Sequence, residues 1–265
     1  MPEKPDALFH PDGAGADGDR FVPTELTRGP WDPNAMHGGA PGALLARAVE
    51  RFEPGTASHV ARLTIDLLRP VPLVPVEIRT RLLRPGKKVQ IVEASVIAGE
   101  TEVVRMTALR LREAELALPQ LPDDDRLEPG PQGGQHYEDT GPLDFGHAVD
   151  MSHARGSFET RGPAAVWFRL NVPVVAGEAT SPLSRVAAAA DFGNGISAPL
   201  DWNQGWTFIN PDLTVYLHRL PEGEWIGVDA VTWPESRGIA VAEAALHDER
   251  GRVGRSVQSL LLDRR

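Results

Sequence analysis

Apolar residues recur along this chain with two different periods, and the switch between them lays out its elements. From Met36 to Phe52, the residues Leu44, Leu45, Ala48, Val49 and Phe52 share one stripe at helical spacing, and Pro54 and Gly55 stand ready to end the helix. The period then drops to two. Ala61, Leu63, Ile65 and Leu67 are apolar while Arg62, Thr64 and Asp66 are polar, which predicts a half-buried strand. Three more strands are predicted at Val76–Leu83, Val89–Ile97 and Val103–Leu111. The breaks at Pro70–Pro75, Arg84–Lys87 and Ala98–Glu100 carry turn chemistry, and connections this short join successive strands as antiparallel hairpins.

The same order returns further on. A short helix is predicted at Ser184–Asp191, with strands near Thr207–Arg219, Glu224–Trp233, Ile239–Leu246 and Val253–Leu262. Ala148–Phe158 and Pro163–Leu170 add two strands ahead of it, as Phe9–Thr24 does for the first set. The residues themselves repeat: LTIDLLRP at Leu63–Pro70 returns as LTVYLHRL at Leu213–Leu220, an offset of 213 − 63 = 150. VQIVEASVIAGETEVVR (Val89–Arg105) faces IAVAEAALHDERGRVGR (Ile239–Arg255) at that same offset of 150. A generic likeness between β-rich stretches would not hold one offset over so long a span. Two copies make a fused pair, short of the three units a solenoid needs. Residues 1–112 form one unit and 147–265 the other. The stretch 113–146 between them, rich in Pro and Gly and carrying Asp123-Asp124-Asp125, reads as an exposed linker.

A helix followed by a four-strand meander implies a sheet curled around one central helix. A helix buried on most sides must be rich in small residues, and Gly38–Ala46 and Ala187–Ala190 both are. In this order of elements, with glycine at the helix entrance, each unit resembles the hotdog fold. The resemblance implies an α+β double hotdog, two tandem antiparallel sheets each curled around a central helix.

Composition narrows the function. Asp and Glu exceed Lys and Arg by 37 to 27, so the net charge of −10 opposes broad binding to nucleic acid or anionic membrane. With 41% apolar and 24% charged residues the chain is globular, and with no cysteine it has no disulfide, thiolate metal site or thiol nucleophile. The start MPEKPDALFHPDG has no apolar core of signal-peptide length, and no stretch nears the ~18 apolar residues of a membrane span, so a soluble, cytoplasmic protein is expected. No Gly-x-Ser-x-Gly elbow and no His-Glu-x-x-His occur, and the histidines form no pair at i, i+2 or i, i+4. Neither a bound metal nor a cofactor is expected. Gly13–Gly18 satisfies G-x-G-x-x-G, but Asp19–Pro23 reads as strand where a dinucleotide site needs a helix, so the glycines mark a hairpin turn.

The strongest positive signal is Trp31-Asp-Pro-Asn34-Ala-Met-His37-Gly38-Gly39-Ala-Pro-Gly42. A helix N-terminus presents unpaired N–H groups and a partial positive charge, and glycines let a carbonyl approach that backbone closely. Such a start can hold a developing oxyanion. It can also be a tightly packed helix entrance capped by His37. The segment resembles acyl-CoA thioesterases of the hotdog superfamily, in which an Asn-x-x-His-Gly-Gly type element opens the central helix. The resemblance implies substrate-binding roles for Asn34, His37, Gly38 and Gly39, and an acyl-CoA or other acyl thioester as substrate.

Hydrolysis also needs a group that activates water. In many single-domain hotdog thioesterases an acid lies nine or ten residues beyond His-Gly-Gly; here those positions are Ala46 and Arg47. The second unit has Asp191 closing an otherwise apolar helix, where a carboxylate is costly to bury unless something uses it. Gln258 lies opposite 258 − 150 = 108, which is Ala108, so one copy alone carries the amide. This half resembles the C-terminal half of type II acyl-CoA thioesterases, whose Asp, Thr and Gln orient and deprotonate the attacking water. The resemblance implies catalytic roles for Asp191 and Gln258, with Asn210 standing where the Thr is expected. A non-catalytic acyl-binding module and a hotdog dehydratase or hydratase are the alternative readings. Exposed sheet edges leave homo-oligomerisation open.

Overall fold

The computed structural model describes residues 4–15, 18–52, 58–119, 125–137 and 141–264. The expected helix stop at Pro54 and Gly55, and Asp123 and Asp124 of the acidic run, lie outside the described residues. In chain order the elements are β1 (Phe9–Ala14), β2 (Asp19–Pro23), α1 (Gly39–Arg51), β3 (Ser58–Leu67), β4 (Val76–Arg84), β5 (Val89–Ala98) and β6 (Thr101–Arg112). Then follow β7 (Gln135–Tyr137), β8 (Val149–Arg155), β9 (Ala164–Leu170), α2 (Pro182–Ala190) and α3 (Gly193–Ile196). The chain ends with β10 (Trp206–Ile209), β11 (Asp212–Leu217), β12 (Ile226–Glu235), β13 (Ile239–Asp248) and β14 (Gly251–Arg264).

The strands form one antiparallel sheet in the order β1-β2-β4-β5-β6-β3-β11-β14-β13-β12-β9-β8-β7, with β10 pairing β14 beside this path. The 150-residue offset is visible in the ladder as well as in the letters. Val92 faces Ala108 in the first half as Ala242 faces Gln258 in the second, and Thr64 faces Thr107 as Thr214 faces Val257. A register shift between Val96 and Ile97 returns between Leu246 and His247. The sequence predicts two separate sheets; the structure joins them edge to edge where β3 pairs β11, Thr64 opposite Thr214 and Asp66 opposite Asp212. Each of these strands would otherwise leave a row of unpaired backbone groups.

Inward residues alternate as predicted at Leu63 and Ile65, but a register shift between Val60 and Arg62 buries Val60 in place of Ala61, and Leu67 is half-buried. Met106 and Ala108 are buried beside them, and Leu213, Val215, Ala242 and Ala244 in the second half. α1 turns Leu44, Leu45 and Val49 onto β3–β6, and α2 packs against α1 and rests on β9, β11 and β12. The helices approach closely because their facing residues are small. A Cβ on Gly39 would stand 2.8 Å from the Ala188 carbonyl oxygen. Ser184 Oγ bridges the pair by donating to the Ala43 carbonyl at 3.0 Å. Ser181 caps α2, its hydroxyl accepting from the Ser184 N–H at 3.1 Å, and Pro182 occupies the first turn where no amide proton is needed.

Two predicted segments differ. The strand expected over Thr207–Arg219 is broken at Asn210–Pro211 into β10 and β11, because Pro211 has no N–H for the ladder. The stretch read as an exposed linker is partly fastened down. Leu127 is buried, Trp167 Nε1–H donates to the Pro129 carbonyl at 2.9 Å, Ser152 Oγ donates to the Pro131 carbonyl at 2.7 Å, and β7 adds an edge strand. Proline removes a donor but keeps its acceptor, so a proline-rich strap can still be held. Among the described residues, no helix is long and apolar enough to cross a membrane.

Candidate active site

Asp191 is the C-cap of α2, at the negative end of the helix dipole, and only 5% exposed. A carboxylate so placed needs donors. The break at Pro211 releases Asn210 to provide one, its Nδ2 donating to Asp191 Oδ1 at 2.8 Å. Gln258, on the inner face of β14, donates from Nε2 to the same oxygen at 3.3 Å. Its Oε1 accepts the Asn194 backbone N–H at 3.2 Å, and Asn194 Nδ2 donates to Asn210 Oδ1 at 3.4 Å. Both amides are thereby oriented with nitrogen toward the carboxylate. Gly193 keeps this approach open, since a Cβ there would lie 3.3 Å from Gln258 Oε1.

The first half supplies the other side. His37 Nδ1 lies 3.0 Å from Asp191 Oδ2 and 3.1 Å from the Gly39 nitrogen. Two acceptors at such a distance would repel, so Nδ1 carries a proton and donates it to the carboxylate. The Gly39 N–H points at this same nitrogen, and with Nδ1 protonated the acceptor left to it is the carboxylate. Burial pushes the Asp191 carboxyl up, but the electrostatic pull of His37 and the hydrogen bonds from His37, Asn210 and Gly39 outweigh it and hold the group below the usual carboxylate range. The imidazole packs against two rings that also stack on each other, Phe145 at 4.7 Å and Phe192 at 4.7 Å between centroids and 5.5 Å from one another, with Phe168 stacked on Phe192 at 4.5 Å. Gly38 admits Asp191 to the helix start, because a Cβ there would lie 2.8 Å from Oδ2 and 3.1 Å from Leu67 Cδ1. Among the described residues the Gly38 N–H has no hydrogen-bond partner.

The structure thus brings together Asp191, Gln258, Asn210, His37, Gly38 and Gly39. It leaves Asn34 apart. Asn34 is exposed, its backbone N–H held by Asp32 Oδ1 at 2.8 Å and its carbonyl accepting from the Leu73 N–H at 3.1 Å, and no hydrogen bond joins its side chain to the cluster among the described residues. Sequence reasoning missed Asn194 and Phe145. Asn194 lies in the same Asp-Phe-Gly-Asn-Gly run as Asp191, a glycine-flanked amide that was a legible signal. Phe145 comes from the supposed linker, and nothing in its neighbours marks it. Among the described residues no group of three His, Cys, Asp or Glu could hold a metal ion.

The fold is that of the hotdog proteins. It is shared with a conserved protein of unknown function with hot dog fold from Alicyclobacillus acidocaldarius, at 17% identity and a TM-score of 0.72 over 95% of this chain and 96% of that one. A TesB protein of Mycobacterium avium subsp. paratuberculosis matches at 14% identity and a TM-score of 0.66, covering 92% of each chain. An acyl-CoA thioesterase II, TesB2, from Mycobacterium marinum matches at 15% identity and a TM-score of 0.63, over 91% of this chain and 96% of that one. No curated protein matches. Residues 27–111 match the acyl-CoA thioesterase N-terminal domain and residues 119–262 the acyl-CoA thioesterase C-terminal domain. The chain belongs to the acyl-CoA thioesterase family, and it is a thioester hydrolase.

Proposed function

We propose that the chain is a double hotdog, its halves 1–112 and 147–265 each curled around their own helix and tied by 113–146, that cleaves acyl-CoA with a water activated by Asp191. The closed ring of donors around one buried, ionised carboxylate carries this reading. The Asn210 and Gln258 amides position the water, and Asp191 takes its proton as the oxygen attacks the thioester carbon. Asn210 replaces the threonine of the resemblance with two donors and an acceptor. Negative charge grows on the carbonyl oxygen, which the free Gly38 N–H at the start of α1 is placed to receive. The Gly39 N–H already faces Asp191 and is not free for it. Collapse of the tetrahedral adduct breaks the C–S bond, and the proton held by Asp191 passes to the departing CoA thiolate.

Asp191→Asn removes the base and keeps the shape. Its kcat for acyl-CoA, read by release of free thiol, is expected to fall by about 10²- to 10⁴-fold while circular dichroism stays that of the folded chain. Undiminished turnover would overturn the assignment.

A further inference from the structure

Beyond Gln258, on the same face of β14, lies an apolar cluster set apart from the main core. Leu260 and Leu262 continue the inner face; Ala242 and Ala240 stand opposite Gln258 and Leu260 on β13, and Phe208 stands opposite Leu262 on β10. Trp31, from the loop before α1, and Trp202 cover its far end. Their rings lie 5.7 Å apart, with Phe208 at 5.4 Å from Trp31 and 5.3 Å from Trp202. A strip of small and aliphatic side chains therefore starts at the carboxylate's own partner and runs four residues, roughly 13 Å at strand rise, to three rings drawn from both halves that meet tilted and edge-on.

The repeat provides an internal control. At the positions equivalent to Ala240, Leu260 and Phe208, the first half has Gln90, Arg110 and Ser58 in the same register. Arg110 is buried there, its Nε donating to Ser58 Oγ at 3.0 Å and its Nη1 to the Phe52 carbonyl at 2.9 Å. One half fills this strip with a tethered arginine. The other, which also holds Asp191, keeps it apolar.

We propose that the strip beside Gln258 receives the acyl group and that Trp31, Trp202 and Phe208 close it, so that the substrates are acyl thioesters whose chains fit within this strip and not long fatty ones such as palmitoyl. This rests on the Asp191 reading. A group that fits leaves water for the alanine-lined strip, whereas a longer one meets rings already packed on each other, and a single methylene in such a site is worth about 10- to 200-fold in kcat/KM.

The test is a panel of acetyl-, butyryl-, hexanoyl-, lauroyl- and palmitoyl-CoA assayed with the full chain by thiol release. The wild type is expected to favour butyryl- over palmitoyl-CoA. Trp31→Ala is expected to raise the lauroyl-to-butyryl ratio of kcat/KM by about tenfold or more. Ala240→Val, which narrows the strip without touching the rings, is expected to lower the hexanoyl-to-acetyl ratio by a similar factor. It decides the matter should Trp31→Ala fail to fold by circular dichroism. A wild-type preference for palmitoyl-CoA, or ratios unmoved in the folded variants, would overturn the chain-length stop alone. A wild type that cleaves no member of the panel would overturn the Asp191 assignment and this proposal with it.

Discussion

At the scale of single residues, the pair His37–Asp191 matters most, because each half supplies one partner. Asp191 stays ionised below the ordinary carboxylate range only while its donors outweigh burial. A base that must be ionised gives an acid limb in kcat/KM: activity is present above the group's pKa and lost as pH falls through it. His37→Gln removes the imidazole that helps hold the carboxyl down and leaves the burial, so the Asp191 carboxyl rises and the acid limb moves to higher pH. A pH–rate profile whose acid limb stays where the wild type has it would show that His37 does not set the base. Asp191 and Gln258 were legible because one is a carboxylate on an apolar helix and the other faces Ala108 across the repeat. The donor role of His37 was not, since it depends on a contact between residues 154 positions apart (191 − 37).

At the scale of elements, α1 is tied to the segment before α2 by a fork. Arg47 donates to both carboxylate oxygens of Glu178, at 2.6 and 2.7 Å, and Arg51 adds a contact at 2.9 Å. Hydrogen bonds from Arg47, opposed by burial, hold the Glu178 carboxyl below its usual range. Glu178→Ala leaves a largely buried guanidinium unpaired and is expected to lower unfolding free energy by about 2–3 kcal/mol near neutral pH. The folded-state pKa is depressed, so this contribution is present above the unfolded carboxylate's value and is lost as pH falls through the lower folded one. The gap between urea titrations of the two chains should therefore begin to narrow below roughly pH 4.3 and close only as pH falls through the lower folded value; a gap that does not narrow on acidification would refute the assignment. Elements of strong period were readable from sequence: β4, β5 and β6 begin or end within two residues of their predicted bounds. The break at Asn210–Pro211 was not, because two residues do not interrupt an alternating pattern. The strap at 125–137 escaped notice because its order comes from distant donors such as Trp167.

At the scale of the whole molecule, the β3–β11 ladder makes the two halves one sheet, and no predicted boundary of residues 1–112 or 147–265 announced it. Each copy's pattern specifies its own strands; which edge meets which is settled only when both are folded. With the sheet continuous and α1 packed on α2, unfolding is expected as one transition, coincident by circular dichroism and by tryptophan fluorescence. Two resolved transitions would mean that the seam does not couple the halves.

The seam also bears on how such a catalyst behaves when scarce. His37 and Gly38 come from one repeat, and Asp191, Asn210 and Gln258 from the other; a covalent tether fixes their encounter at the high effective concentration of an intramolecular partner. Dilution therefore cannot take the centre apart, as it can in an assembly of separate subunits. Freed from having to serve both copies at once, the two repeats could drift apart, one burying Arg110 where the other carries Leu260.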